Sequence, residues 1–308
     1  MSTRTDDGQA RIRALRRRAA SEQRMAARAA AAASAKEALA SSGAADGADG
    51  MHAATAAVYR DAEALHLMAA RMAELQAARM VRWLAGPGPA GTRPRLVAVA
   101  ASMLGTPSAS VTIWSQSDRA RLSGSDATAK AACESEAITA QGPGTDAWST
   151  GRSCATAGEQ IADRWPLYAQ ETAALGVRGV VAAPLGSPEA GLGAICAYYR
   201  SPAISSGTVA RAGRVAAALT RLLLHDVGEL APLLTEDHDL AVIQQAVGMI
   251  SVQAGCTGSQ AHDLLAARAY AASVPLTQAA AAVLSGETRF QPAGKPGSDN
   301  SPRQGSAP

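Results

Sequence analysis

The chain has 308 residues, with 29 basic and 26 acidic side chains and a formal net charge of +3. That length suits two domains with flanking segments, and the charge is too even to mark the whole chain as a polyanion binder. The cysteines Cys133, Cys154, Cys196 and Cys256 form no C-x-x-C pair and histidine is sparse, which argues against a metal site or a disulfide framework.

A single Phe in a chain that is 47% hydrophobic predicts modest cores of Ala, Val and Leu. The longest apolar run, Leu96 to Ile113, is broken by Gly105 and Pro107, so no membrane span is expected. The N-terminal arginines precede no apolar stretch of the secretory kind. A cytoplasmic protein with reduced thiols is the expectation.

Residues 1–50 form an Ala/Arg-rich segment. Its first 40 residues carry nine basic and four acidic side chains, a net of +5. The run Arg28 to Ala33 favours helix by propensity. Almost no large apolar side chain is available to bury, so composition predicts a disordered basic arm with transient helix.

Residues 52–85 are patterned differently. Val58, Leu65, Met68, Met72 and Leu75 recur at helical spacing, which predicts an amphipathic helix with a narrow seam. Either the next domain or a second copy must cover that seam. Gly86-Pro87-Gly88-Pro89 breaks the helix and sets a boundary.

Residues 92–228 alternate helix and strand signals. Pro94 suits the first turn of an apolar helix over Leu96–Leu104. Ala109 to Trp114 alternates with period two, as a half-buried strand does. Trp165-Pro166 opens a helix that Gly176 stops. The β-branched run Val177–Ala183, closed by Pro184, and the run Leu192–Tyr199 flank a turn at 187–191 and read as a hairpin. A long helix follows over about 206–227. Asp146 reads as a helix cap and Cys154 as a strand residue.

Residues 235–286 read as three short helices. Thr235 suits an N-cap, with Glu236, Asp237 and Asp239 near the positive end of the dipole. Leu240, Ile243, Val247 and Ile250 share a face, and Gly248 leaves space for a neighbouring helix to approach. Thr257 and Gln260 make a capping box for the second helix, whose inner side is Leu264, Leu265 and Ala269. Ser273 and Pro275 start the third helix, where Leu276, Ala280, Val283 and Leu284 face inward and Gly286 stops the chain. Residues 287–308 lack periodicity and read as a disordered tail.

Two resemblances organise these elements. The run Ile243-Gln244-Gln245-Ala246-Val247-Gly248-Met249-Ile250, then Ala261-His262-Asp263-Leu264-Leu265, then Leu276-Thr277-Gln278-Ala279-Ala280 with Val283-Leu284, resembles the ANTAR module of bacterial antitermination regulators. The middle block resembles a GAF domain of the kind that precedes ANTAR modules in actinobacterial proteins. That likeness rests on Gly142-Pro143, Asp146-Ala147, Gly151, Asp163-Arg164-Trp165-Pro166, Gly176-Val177-Arg178, Ala183-Pro184-Leu185, Gly193-Ala194-Ile195 and Tyr198. It departs at Gly144, where relatives often carry Cys.

The resemblances imply an α+β chain: a GAF-like antiparallel sheet flanked by helices, then an all-α three-helix module. They imply a signal-responsive antitermination regulator that binds paired RNA hairpins as a homodimer, with α-helical seams at 52–85 and 206–227. A small molecule at the sheet domain would act by shifting populations rather than by catalysis. The candidate RNA-contacting residues are Gln244, Gln245, Arg268, Thr277 and Gln278. The candidate ligand-pocket residues are Trp114, Asp146, Trp165 and Arg178, aromatic walls with a few polar groups.

Residues 235–286 hold one basic residue, Arg268, against four acidic ones, a net of −3. Relatives usually carry Lys where this chain has Val247. Neutral amides can read base edges but do not supply the sequence-independent attraction to phosphate. The alternative reading is therefore a sensor or scaffold whose ANTAR-like end mediates protein contacts. Asp146, Cys154, Asp163 and His225 stand in no nucleophile–base spacing, so no catalytic residue is assigned and no enzyme is expected. No His falls between His66 and His225, which disfavours haem, and the sequence names no cofactor.

Overall fold

The structure is a computed structural model and describes residues 2–41, 49–86, 94–114, 121–186, 191–225, 237–272, 274 and 276–290. The expected breaker at 87–89, the turn at 187–190, the Thr235 cap, Ser273, Pro275 and the tail beyond residue 290 lie outside these residues. The chain divides into two compact units, Met1–Glu236 and Asp237–Pro308. No helix among the described residues is long and apolar enough to cross a membrane.

The first unit begins with a helical hairpin. Helices α1 (Ser2–Ser41) and α2 (Asp49–Ala85) run antiparallel, with Gly8 against Leu84, Glu22 against His66 and Glu37 against Arg60. This corrects the disordered arm expected from composition. Ile12, Leu15, Ala19, Ala26, Ala29 and Ala33 recur on one face of α1, and all are buried. Small side chains bury little area each, yet they let two helices approach closely over many turns. Side-chain size alone misses this, whereas period reveals it.

The α2 seam is covered from within the chain. Met72 is fully buried, Leu65, Met68 and Leu75 are partly buried in the same core, and Val58 is exposed. Cover comes from α1, from α3 (Leu96–Leu104) and from α8 (Ser206–His225). Pro94 lies just outside α3 rather than in its first turn, and its carbonyl accepts a 2.6 Å hydrogen bond from Gln76 Nε2.

Between α3 and α8 lies a five-stranded antiparallel sheet in the order β2-β1-β5-β4-β3. Its strands are β1 (Ser108–Ile113), β2 (Arg121–Gly124), β3 (Cys154–Ala157), β4 (Gly179–Gly186) and β5 (Gly191–Tyr199). Four further helices connect them: α4 (Ala127–Thr139), α5 (Pro143–Thr150), α6 (Gln160–Arg164) and α7 (Pro166–Ala173). Strand alternation sends Val111, Val181, Ala183, Leu185, Ile195 and Ala197 into the core with α2, α3 and α8. It sends Val180, Ala182, Ala194, Cys196 and Tyr198 to the opposite core, with Ala132, Ala147, Ile161 and Tyr168.

The β4–β5 hairpin forms as the sequence predicts, but Pro184 does not close its first strand. Pro184 stands opposite Ala194 inside the ladder. Strand β3 pairs only with Gly179–Ala182, so β4 is locally an edge at Pro184, where a missing N–H costs no ladder bond. Gly193 explains itself on the other side of β5. A Cβ there would fall 1.9 Å from the Thr112 carbonyl oxygen, so only glycine permits the β1–β5 approach.

The second unit is three helices: α9 (Asp237–Ala254), α10 (Gly258–Ala272) and α11 (Leu276–Leu284). Its core is Ala246, Val247, Ile250, Ala261, Leu265, Ala269, Leu276, Ala280 and Val283. Thr257 and Gln260 form the expected reciprocal cap. Thr257 N–H donates to Gln260 Oε1 at 3.0 Å, and Gln260 N–H donates to Thr257 Oγ1 at 3.3 Å. Gly286, at φ +82°, turns the chain after α11. Phe290 N–H then donates to Gln253 Oε1 at 3.0 Å, so residues 287–290 fold back on α9 rather than joining a disordered tail.

Two expectations for this unit are corrected. Gly248 is exposed, and a Cβ on it would meet nothing within 4 Å; no neighbouring helix uses the space. Leu264 is also exposed, because Leu265 and Ala261 take the inward positions of α10.

Candidate functional site

Two places bear candidate functional side chains: the sheet face that carries α4 to α7, and the surface of the three-helix unit.

On the sheet face, α5 and the α6–α7 junction meet at Asp146. Gly142 precedes α5 and Pro143 occupies its first turn, as the fixed φ of proline favours. Asp146 therefore sits in the first turn, but its side chain does not cap the helix. Arg164 Nε donates to Asp146 Oδ2 at 2.9 Å and Trp165 Nε1 donates to the same oxygen at 3.1 Å. The Arg164 guanidinium also lies over the Trp165 ring, 5.0 Å from its centroid. Trp165 is buried and meets Tyr168 edge-on at 6.1 Å.

Of the four pocket residues read from the sequence, the structure thus brings Asp146 and Trp165 into direct contact. Trp114 is elsewhere on this face, stacked on Trp148 with centroids 4.7 Å apart and planes 15° from parallel. Arg178 is exposed. Its backbone carries the contacts, with its N–H donating to the Tyr199 carbonyl at 2.8 Å and its carbonyl accepting from Gly158 N–H at 2.9 Å.

Glu136, on α4, is the residue that sequence reasoning missed. It is buried, and its carboxylate accepts a 2.5 Å hydrogen bond from Thr145 N–H at the start of α5. Burial pushes its pKa up to about 7, against the pull of the Thr145 and Gly144 amides, with the nearby Asp146 charge adding to the rise. A Cβ at Gly142 would fall 2.6 Å from Glu136 Cδ, and one at Gly144 would fall 3.0 Å from Cys196 Sγ and 3.2 Å from Glu136 Oε1. The signal was present in the sequence as two glycines around Pro143, six to eight residues after a glutamate. Nothing in the sequence alone aims that glutamate at them.

Around Glu136 the face is thiol- and phenol-rich. Burial raises the pKa of Cys133, Cys154 and Cys196, and Glu136 adds to the rise at each. These are neutral thiols rather than nucleophiles. Tyr198 Oη hydrogen-bonds Ser110 Oγ at 2.7 Å. Tyr168 Oη is buried near Tyr198 without a well-formed hydrogen bond. Among the described residues, no group of three or more His, Cys, Asp or Glu side chains is placed to hold a metal ion. Asp163 is exposed and forms no catalytic arrangement with Cys154.

On the three-helix unit, Gln245 (α9), Arg268 (α10) and Gln278 (α11) are exposed, and Thr277 is half-buried. The Gln244 side chain lies outside the described residues. Val247 is buried and contributes to packing. Beside the polar groups stand apolar ones open to solvent: Met249, Val252, Leu264 and Tyr270, with Val252 83% exposed.

Comparison with protein families decides the nature of this unit. The family model described as "ANTAR domain" matches residues 234–284, which span all three helices. Residues 234–284 are an ANTAR domain. The three helices and their reciprocal cap are therefore the anatomy of that domain in this chain. An ANTAR domain implies an RNA-binding regulator of transcription antitermination. No curated protein matches the chain. Among solved structures, the chain is similar to a domain assigned to a two-component sensor histidine kinase of Sinorhizobium meliloti 1021. That alignment has 15% identity and a TM-score of 0.35, and covers 45% of this chain and 92% of that one. The likeness is too loose to bear on fold or function.

Proposed function

We propose that the protein is a signal-responsive transcription antitermination regulator, whose ANTAR domain binds RNA hairpins under control of the preceding sheet domain. The observation that carries this reading is the coincidence of the ANTAR match at 234–284 with a self-contained three-helix unit. Exposed amides at Gln245 of α9 and Gln278 of α11 suit hydrogen bonding to unstacked bases in loops, with Arg268 exposed on α10.

The sheet domain supports a sensory role in the GAF manner. It offers an antiparallel sheet with α3 and α8 on one face and α4 to α7 on the other, the second face carrying buried polar groups. Glu136, Tyr168 and the Asp146–Trp165 pair are the groups on that second face through which a small molecule would be read. No catalytic step is assigned to it, and the protein is read as cytoplasmic and homodimeric in action. Met72 of α2 and Leu219 and Leu222 of α8 are buried within the chain, whereas Val58 and Leu67 of α2 and Leu224 of α8 stay exposed to a second copy.

A second reading is favoured by the net charge of −3 over 235–286 and by the exposed Val252, Met249 and Tyr270. In it, the ANTAR domain binds a protein rather than RNA. Crosslinking in the host followed by sequencing of the bound RNA separates the two. Recovery of paired hairpins near terminators supports the antitermination reading, and recovery of no enriched RNA leaves the protein-contact reading.

A further inference from the structure

The outer face of α1 carries five arginines in one row. Arg13, Arg17, Arg24 and Arg28 follow spacings of four, seven and four, and Arg16 flanks them; all five are exposed. At 100° per residue they fall within about a third of the helix circumference. The row lies opposite the buried stripe of Ile12, Leu15, Ala19, Ala26 and Ala29. It extends for roughly 22 Å at 1.5 Å per residue. Packing on α2 fixes the helix, so the row is a set surface rather than a tumbling charge cloud.

This row is left uncompensated, unlike the rest of the hairpin. Arg60 is held by Glu37 and Glu63, Arg71 lies near Glu74, and Arg11 pairs with Asp7. Between residues 13 and 28 the one acid is Glu22, which is buried and committed to Arg18, His66 and Arg221. Among the described residues, Arg13, Arg16, Arg17, Arg24 and Arg28 make no ion pair with an acid. Like charges three and four residues apart cost a helix a few tenths of a kcal/mol per pair. A merely solvated face mixes signs and avoids that cost, as the remainder of this hairpin does.

The ANTAR domain has the converse deficit. It carries amides able to read bases but a net charge of −3, whereas phosphate contacts supply most of the affinity for RNA. We infer that the arginine row of α1 is a second RNA-contacting surface. It binds the phosphodiester backbone without regard to sequence and supplies the attraction that the ANTAR domain lacks. The inference rests on the RNA-binding reading given above. An anionic membrane is the less suitable partner, because the apolar face that an interfacial helix inserts into lipid is here buried against α2.

The test uses the full chain and a labelled synthetic RNA of two tandem hairpins, titrated between about 50 and 200 mM salt. In one variant all five arginines become glutamine, which keeps helix propensity; in another all five become lysine, which keeps the charge. Circular dichroism and thermal unfolding verify that both retain the fold. The glutamine variant is expected to bind roughly 10- to 100-fold more weakly at the lowest salt, with the slope of log affinity against log salt reduced by about 3. The lysine variant is expected to stay within about threefold of the unaltered protein.

Equal affinity and slope for the glutamine variant would overturn the inference while leaving RNA binding by the ANTAR domain intact. Failure of the unaltered protein to shift RNA at the lowest salt would overturn both. Loss of binding to phosphatidylserine vesicles, with RNA binding unchanged, would assign the row to a membrane instead and overturn it as well.

Discussion

Glu22 on α1 and Arg221 on α8 stand 199 positions apart in the chain, yet Arg221 Nε donates to Glu22 Oε2 at 2.8 Å. The same carboxylate oxygen meets His66 Nδ1 of α2 at 2.6 Å, and Arg18 pairs with the other oxygen. One buried acid thus fastens α1 to α2 and to the helix that ends the sheet domain. Burial alone would raise its pKa, but hydrogen bonds from His66 and Arg221 and the charges of Arg18 and Arg221 outweigh burial and lower it.

Glu22→Ala leaves these partners facing a buried gap. Removing one member of a buried ion pair is strongly destabilising, and the partial exposure of Arg18 and Arg221 moderates it, so a loss of roughly 2–4 kcal/mol is expected. Urea unfolding of the full chain measures it. The pH dependence has a fixed sign. Because the folded pKa lies below 4.5, this stabilisation is present above that value and is lost as acid protonates the folded carboxylate. Unfolding curves that coincide for the parent and the variant at neutral pH would rule the fastening out.

Glu136 has the opposite sign. Its folded pKa of about 7 lies above the ordinary 4.5, so the folded chain holds its proton more tightly than the unfolded one. Stability contributed by this group is full below about pH 4.5 and declines as the pH rises through about 7, by roughly 3 kcal/mol in all. Glu136→Gln keeps an acceptor for Thr145 N–H and removes the titration. Above pH 8 the variant is expected to melt higher than the parent, with the two converging near pH 5. A parent whose melting temperature is flat over that interval would contradict the assignment.

Gly193 and Gly248 should respond to alanine in opposite ways. At Gly193 the new methyl meets the Thr112 carbonyl at 1.9 Å, so β1 and β5 must separate, at a cost of about 3 kcal/mol or more. At Gly248 it meets nothing within 4 Å, and the helix gains up to about 1 kcal/mol. Thermal unfolding of both variants checks the pair. Destabilisation by Gly248→Ala would show that the bare position is needed for packing.

On the ANTAR domain, Gln245→Ala combined with Gln278→Ala removes two exposed amides without disturbing the buried core. RNA affinity is expected to fall by about 1–3 kcal/mol, with no change in the salt slope, because base hydrogen bonds release no counterions. Gel shifts at several salt concentrations read both quantities. A changed slope with an unchanged low-salt affinity would contradict the role given to the amides.

The sequence by itself determined the elements whose signals are local. The period of Val111 and Ile113, the hairpin partners of β4 and β5, the Thr257–Gln260 box and the inward Val247, Ile250, Leu265, Ala269, Leu276, Ala280 and Val283 of the ANTAR domain could all be read within a few residues. Only the tertiary structure decided the matters that depend on distant neighbours. The period of the α1 alanines marks a face, but only the structure shows that α2 covers it. Pro184 lies within a strand because β3 stops short of it. Glu136 holds its proton more tightly than a free carboxyl because folding buries it, while the two glycines at 142 and 144 let the start of α5 approach its carboxylate. Burial and close approach are properties of groups brought together by folding, and a stretch of chain, even one that holds both partners, does not encode their orientation.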